Sequence, residues 1–248
     1  MNGDSRFTTM LYAYCVTRTK TESPRNLTGL FDREVFSITA GDLSAFASQL
    51  SDEPVVVSKH SVLTHQKVVG SLLEAATPLP FRFGTVVTQA DLTSYLVSRR
   101  KSLLEKLAAV DGCVEMSVKI IWQQPPVDDQ PELQTAQPSL AGTEFLRRKS
   151  AELSGSQQLI HVADNLAAWL KLLLEPSVSQ IHLTVRPTQR LVLSADCLVP
   201  RVQLQRYQST VEAARSERPD LHFLTSGPWA PYSFANIELE FKSQFGVS

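Results

Sequence analysis

Residues 123–138 settle the organisation of the chain before any other segment does. The stretch holds four prolines, the adjacent carboxylates Asp128 and Asp129, and little apolar material. Ordering it would cost about 1–2 kcal/mol of backbone entropy per residue with almost nothing buried in return. It therefore reads as a linker that divides the 248 residues into two parts. The expected plan is an N-terminal α+β domain over residues 1–124, a proline-rich linker over 125–138, and a smaller α+β domain over 139–248. Residues 1–9 are polar and lack the apolar centre of a secretory signal, so they read as a disordered extension.

Residues 10–17 are aromatic and β-branched, which marks a strand. Residues 34–39 and 43–49 flank Ala40-Gly41-Asp42, a turn sequence, and read as a hairpin. A short helix over 42–50, capped by Asp42, fits the same pattern equally well. A helix follows residues 58–61, with Leu63, Val69, Leu72, Leu73 and Ala76 near one face, and stops before Pro78. A single further helix runs from Gln89 or Asp91 to Asp111-Gly112 and carries Leu92, Leu96, Leu103, Leu107 and Val110 on one stripe. Val114, Met116, Val118, Ile120 and Trp122 then alternate with Glu115, Ser117 and Lys119, the pattern of a strand covered on one face and wet on the other. Strand, hairpin, helix, strand, helix, strand describes an α+β sandwich related to the ferredoxin-like plan.

Beyond the linker, Leu146, Leu153, Ile160, Ala167 and Leu174 recur every seven residues. They describe one long helix, or two broken near Ser154-Gly155-Ser156, stopped by Pro176. Ile181, Leu183 and Val185, then Leu191, Leu193, Ala195 and Cys197, make the inward faces of a hairpin turning at residues 186–190. Leu204, Tyr207, Val211 and Ala214 form a helical stripe, and residues 221–224 a last strand. The second half is thus also α+β, an echo of the first without a visible sequence repeat.

Residues 78–85 read Pro-Leu-Pro-Phe-Arg-Phe-Gly-Thr, a cation and a glycine set in an otherwise apolar strand. On strand geometry Leu79, Phe81, Phe83 and Thr85 share one face and enter the core, while Arg82 and Gly84 take the other. Arg82 then needs water or an acidic partner, for which Glu115 is the first candidate and Glu74 or Asp91 the next. The prolines fit a strand start or an edge, and Gly84 permits a bulge.

Composition excludes several classes of function. A formal net charge of −1 with no basic block argues against nucleic acid or a lipid membrane as the main partner. Cys15, Cys113 and Cys197 are too far apart for a paired metal motif and odd in number, which suits a reducing compartment. The apolar window 166–174 contains Lys171 and is far shorter than the roughly 20 residues of a membrane span. His60 and His65 are five apart and point away from each other on a helix, and His161, His182 and His222 stand alone. No metal or other cofactor is expected. Asp128 and Asp129 lie in the linker, where no apolar pocket separates two pKa values for acid and base work. No nucleophile elbow or phosphate-binding glycine loop occurs, so no catalytic residue is assigned and the chain is not read as an enzyme. The rival readings are an RNA-binding module on a ferredoxin-like sheet and an enzyme with an unrecognised site. The first needs its aromatics on the exposed face, opposite to the facing expected of Phe81 and Phe83.

Three motifs in order give a resemblance. Besides residues 79–85 there are Gly142-Thr143-Glu144-Phe145-Leu146-Arg147-Arg148-Lys149 and Gly227-Pro228-Trp229-Ala230-Pro231-Tyr232-Ser233-Phe234. With Leu11-Tyr12-Ala13-Tyr14 at the start, the chain resembles the gas vesicle protein GvpF/GvpL family over roughly residues 10–235. Phe145 stands where that family commonly has Tyr, and Ala230 where it commonly has Pro. The resemblance implies two α+β domains and a non-catalytic component of gas vesicles, the protein-walled buoyancy organelles inside microbial cells. It implies a role as a minor structural or assembly protein that binds the hydrophobic main shell protein and limits its aggregation. Other gas vesicle accessory proteins would be further partners. The motif residues Phe81, Arg82, Phe83, Gly84, Gly142, Phe145, Leu146, Lys149, Gly227, Pro228, Trp229, Tyr232 and Phe234 are expected to be structural. The prolines at 228 and 231 suggest a rigid turn folding Trp229, Tyr232 and Phe234 onto the second domain.

Overall fold

The computed structural model describes residues 9–19, 26–50, 54–123, 141–185 and 191–237, with backbone alone for 141–156 and 158. The linker expected at 125–138, with Asp128 and Asp129, and the turn at 186–190 lie outside these residues. The architecture is α+β with two antiparallel sheets. The described residues up to Glu115, with those from Pro228 onward, form one compact unit, and Met116–Gly227 the other.

In the first unit, β1 (Met10–Arg18), β2 (Val35–Ala40) and β3 (Leu43–Gln49) are followed by α1 (Lys59–Leu73), β4 (Leu79–Pro80), β5 (Val86–Thr88), α2 (Gln89–Ser98) and α3 (Arg100–Val110). The strand order is β2-β3-β1-β4, with β5 also on β1. Every β1 residue from Leu11 to Thr17 is buried, as a central strand covered on both faces requires. Residues 43–49 are strand and not helix. Ala40 pairs with Leu43 across a two-residue turn in which Gly41 takes φ +62°, a left-handed value that glycine adopts without steric cost.

The helix expected after Ser58 forms, but Leu63 lies outside its buried face, which holds Ser61, His65, Val68, Val69, Leu72 and Leu73. The helix expected over 89–110 is two. The chain leaves helical geometry at Arg99 (φ −101°, ψ 9°), although Leu92, Leu96, Leu103, Leu107 and Val110 are all buried as the stripe predicts. Neither proline nor glycine marks this break, so the periodicity reads straight through it.

The second sheet uses β6 (Cys113–Trp122), β7 (Gln180–Val185), β8 (Leu191–Pro200) and β9 (Leu221–Trp229), with α4 (Ala141–Leu174) and α5 (Leu204–Glu217) between them. Their order is β7-β8-β6-β9. Strand, helix, two strands, helix, strand in this order is the ferredoxin-like plan, and it needs β6 as a central strand. The sequence reading attached that strand to the first domain. Its burial corrects the facing too, because Glu115 is buried rather than wet. Backbone geometry makes 141–174 one helix. Ile160 is exposed, and the buried positions are Ala163, Leu166, Ala167, Leu170 and Leu174. The hairpin faces are as expected, with Ile181 opposite Cys197, Leu183 opposite Ala195 and Val185 opposite Leu193.

Gly29 is required by space and not by its backbone, whose φ is −104°. A Cβ there would stand 2.0 Å from the Tyr14 hydroxyl oxygen and 2.8 Å from its ring, and that hydroxyl is held by the Leu30 N–H at 2.8 Å. Gly70, inside α1, has nothing within 4 Å of its Cβ position. Gly29→Ala is therefore expected to destabilise the protein by about 1–3 kcal/mol. Gly70→Ala is expected to stabilise it by up to about 1 kcal/mol. Urea denaturation midpoints of the two variants check the opposite signs.

Candidate functional site

The segment singled out by sequence is a pair of short strands joined by a turn. Leu79 and Pro80 pair with Val16 and Cys15, and Val86–Thr88 pair with Tyr12, Leu11 and Met10. Between them, Phe81 N–H donates to the Tyr14 carbonyl, Ala13 N–H to the Thr85 carbonyl and Thr85 N–H to the Arg82 carbonyl. The five residues 81–85 thus stand opposite two, and the extra length turns outward. Gly84 sits in this turn at φ +88°. The expected single inward face is corrected accordingly. Phe81 is buried beside Tyr95 of α2, while half-buried Phe83 packs edge-on against Tyr12 and His65 of α1. Arg82 is exposed on the turn. With Phe81 buried, the pair does not form the base-stacking platform an RNA-binding sheet needs.

Behind the turn lies a polar knot in an aromatic cluster. Tyr12 and Tyr14 are fully buried on β1, with their rings 4.9 Å apart at a steep angle, a favourable edge-to-face arrangement. The Tyr12 hydroxyl accepts the Gly84 N–H at 3.1 Å and lies 2.9 Å from Nδ1 of His65. With Tyr12 donating to Nδ1, His65 carries its proton on Nε2. The Tyr14 hydroxyl accepts the Leu30 N–H and shares a 2.9 Å hydrogen bond with Ser48 of β3.

Nε2 of His65 is buried and makes no well-aligned hydrogen bond, with only the Phe81 backbone partly offsetting its burial. Burial accordingly pushes the imidazole down to about 4. Burial raises the Tyr12, Tyr14 and Tyr232 hydroxyls, so at neutral pH every member of the knot is uncharged. A neutral, water-excluded cluster holds segments together and lacks the accessible group that acid–base catalysis needs. Among the described residues, no three His, Cys, Asp or Glu side chains are grouped to hold a metal.

Residues 228–237 pack into this unit, not onto the second domain as the proline spacing suggested. Ala230 is buried in the Tyr12–Tyr14 core with Tyr232 against it, and Tyr232 lies 6.2 Å from the His65 ring. A short helix, α6 (Tyr232–Ala235), is gripped at its start by Glu115, whose carboxylate oxygens accept the Ser233 N–H at 2.7 Å and its hydroxyl at 2.8 Å. Gly227 takes φ +118°, Trp229 and Pro228 are exposed, and Phe234 is half-buried. The remaining motif residues, Gly142, Phe145, Leu146 and Lys149, lie on the backbone of α4, and their side chains fall outside the described set. The sequence reading singles out neither Ser48 nor the partners of the two residues it does name, His65 as a histidine without a metal role and Glu115 as a candidate partner of Arg82. The available signal was two tyrosine hydroxyls on a strand buried on both faces, since each must find a partner.

His65 makes stability depend on pH with a definite sign. Its folded value lies below the ordinary 6.5, so the unfolded chain binds the proton first and stability falls as pH drops from about 6.5 to 4. The full loss is about 3 kcal/mol, and His65→Phe is expected to flatten this part of a stability-against-pH curve. Glu115→Gln removes the charge from two hydrogen bonds and is expected to cost about 1.5–3 kcal/mol, with faster amide exchange at residues 230–237.

The model of the family described as gas vesicle synthesis protein GvpL/GvpF matches residues 10–236. Gas vesicle protein L2 of Halobacterium salinarum is 26% identical over 252 residues, covering 90% of this chain and 90% of its own length. Gas vesicle protein F of Microcystis aeruginosa is 28% identical over 232 residues, covering 85% of this chain and 91% of its own. The crystal structure of GvpF from an Anabaena species superposes with a TM-score of 0.75 at 23% identity over 93% of this chain and 98% of that one. That of GvpF from Microcystis aeruginosa gives 0.71 at 25% identity over 92% and 99%. The motif turn, the buried strand beneath it and the returning C-terminal segment all fall within the matched residues, and the chain belongs to the gas vesicle synthesis protein GvpL/GvpF family.

Proposed function

We propose that this chain is a non-catalytic assembly component that binds the hydrophobic main shell protein of the gas vesicle. In doing so it limits aggregation of the shell protein while the wall nucleates and grows, at the vesicle within the cytoplasm and alongside other gas vesicle accessory proteins. The observation that carries this reading is the family match along residues 10–236. The physical rationale is that shell subunits expose apolar surface before they join the wall, and a partner with an open sheet edge can cover it reversibly. The edge nearest the motif offers Val86–Thr88 as its longest strand, because residues 82–84 turn out of the sheet. A docking strand would thus engage a short run beside the turn.

Co-expression of the full-length chain with the shell protein tests the reading. The soluble fraction of shell protein is expected to rise several-fold and to co-elute with this chain. An unchanged soluble fraction with no co-elution would overturn it, and RNA carried through purification would favour the nucleic-acid alternative instead.

A further inference from the structure

The far edge of the first sheet carries none of the devices that keep an edge strand from pairing with another chain. β2 ends the strand order, on the side away from β4 and β5. It reads Val-Phe-Ser-Ile-Thr-Ala, without charge, proline or glycine. Its register on β3 is unbroken from Val35 opposite Ser48 to Ala40 opposite Leu43, so no bulge twists it away. Charged side chains, prolines and bulges are what guard exposed edges, and a β-prone run lacking all three is a template for a further strand.

The hydrogen-bond phase fixes which backbone groups this edge offers. A two-residue turn is closed by a hydrogen-bonded pair, here Ala40 and Leu43, and such pairs alternate along the ladder. Phe36, Ile38 and Ala40 therefore bond to β3, while the backbone groups of Val35, Ser37 and Thr39 point outward. The Val35 N–H agrees with this phase, since it donates to the Leu27 carbonyl outside the ladder at 2.9 Å. Past that contact, among the described residues, nothing bonds the outward amides and carbonyls of Ser37 and Thr39.

The same geometry selects the occupant. A row of N–H and C=O groups pairs with an extended backbone, not with a helix. Phe36, 37% exposed, shares one face with Ile38 and Ala40, and the exposed Ser37 and Thr39 take the other. Charges at the two ends of the run are balanced, with Arg33 beside Glu34 before it and Asp42 ion-paired with Arg100 after it. The matching strand is thus uncharged and alternates apolar with small polar side chains. A second copy of this chain fits poorly. Two-fold antiparallel pairing that uses both residues sets Ser37 opposite Thr39 of the copy. It then drives the copy's turn at Gly41 and Asp42 into the lane beside Val35 and Glu34, which Leu27 and Thr28 already fill.

We propose that the outer edge of β2, centred on Ser37 and Thr39, takes up an uncharged extended strand of the main shell protein by main-chain pairing. This rests on the reading that the chain binds the shell protein, and it adds a second lane on the opposite edge of the sheet from Val86–Thr88.

The test is amide hydrogen exchange on the full-length chain, alone and co-purified after co-expression with the shell protein. Alone, the Ser37 and Thr39 amides are expected to exchange much faster than those of Phe36, Ile38 and Ala40. In the complex both are expected to slow by at least about tenfold. Ser37→Pro removes one outward donor and fills the lane, and Ser37→Lys supplies the missing guard charge. Each is expected to cancel the slowing at Thr39 and to lower the soluble shell protein at least about twofold, with the urea midpoint near wild type. Ser37→Ala is expected to change neither readout. Shell protein kept soluble without slowing at Ser37 and Thr39, or kept soluble equally by all three variants, would overturn the proposal and leave the binding reading standing. Shell protein that neither dissolves nor co-elutes with the wild-type chain would overturn both. Slow exchange of the two amides in the chain alone would also overturn the proposal, by showing the edge already covered by the chain itself or by a second copy.

Discussion

Two tyrosine hydroxyls on β1 set the terms for the segments around them. A tyrosine ring is a large apolar body with one polar atom, and once the ring is fully buried that atom must be matched or cost about 1–3 kcal/mol. Tyr14 meets the Leu30 N–H and the Ser48 hydroxyl, which brings the 3-10 turn at Leu30–Asp32 and strand β3 to one point. Tyr12 meets the Gly84 N–H and His65, which brings in the motif turn and helix α1. Four segments are thus tied to one strand by neutral hydrogen bonds inside an aromatic cluster.

Local features follow from that requirement. Gly29 leaves room for the Tyr14 hydroxyl. Gly84 gives the turn a positive φ and presents its N–H to Tyr12. Residue 14 also sits at an irregularity of β1 itself, since Ala13 pairs with Ala47 and Cys15 with Phe46, which leaves Tyr14 unopposed on β3. On the other side of β1, residues 81–85 carry the extra length of the motif. A bulge on either flank of one buried residue is the geometry by which sheets re-aim a side chain, and here the re-aimed side chain is the one that needs two hydrogen-bond partners.

The two sheets share one strand order. In each, the first strand lies between the third and the fourth, with the second at an edge. The second sheet crosses from its first to its second strand through the long helix α4, while in the first sheet the described residues of that crossing, 19 and 26–34, hold a short 3-10 turn and no α-helix. The echo between the halves is therefore one of topology, which sheet physics can preserve while side chains diverge. The absence of a repeat in the sequence does not conflict with it.

The sequence by itself determined most of the elements and the family. The stripe from Leu92 to Val110, the facing residues of β7 and β8 and the three ordered motifs all rest on spacings of a few residues, and local backbone geometry enforces such spacings, whereas the choice of strand over helix at 43–49 came from pairing with β1 and β2. Tertiary structure decided the sheet to which β6 belongs, the break at Arg99, the exposure of Leu63 and Ile160, and the burial of Glu115. It also decided the joining of His65 to Tyr12 and of Glu115 to Ser233, partners 53 and 118 residues apart in sequence. A strand's alternation says which face is apolar but not which strand lies beside it, and a buried hydroxyl says that it needs a partner but not where on the chain that partner is.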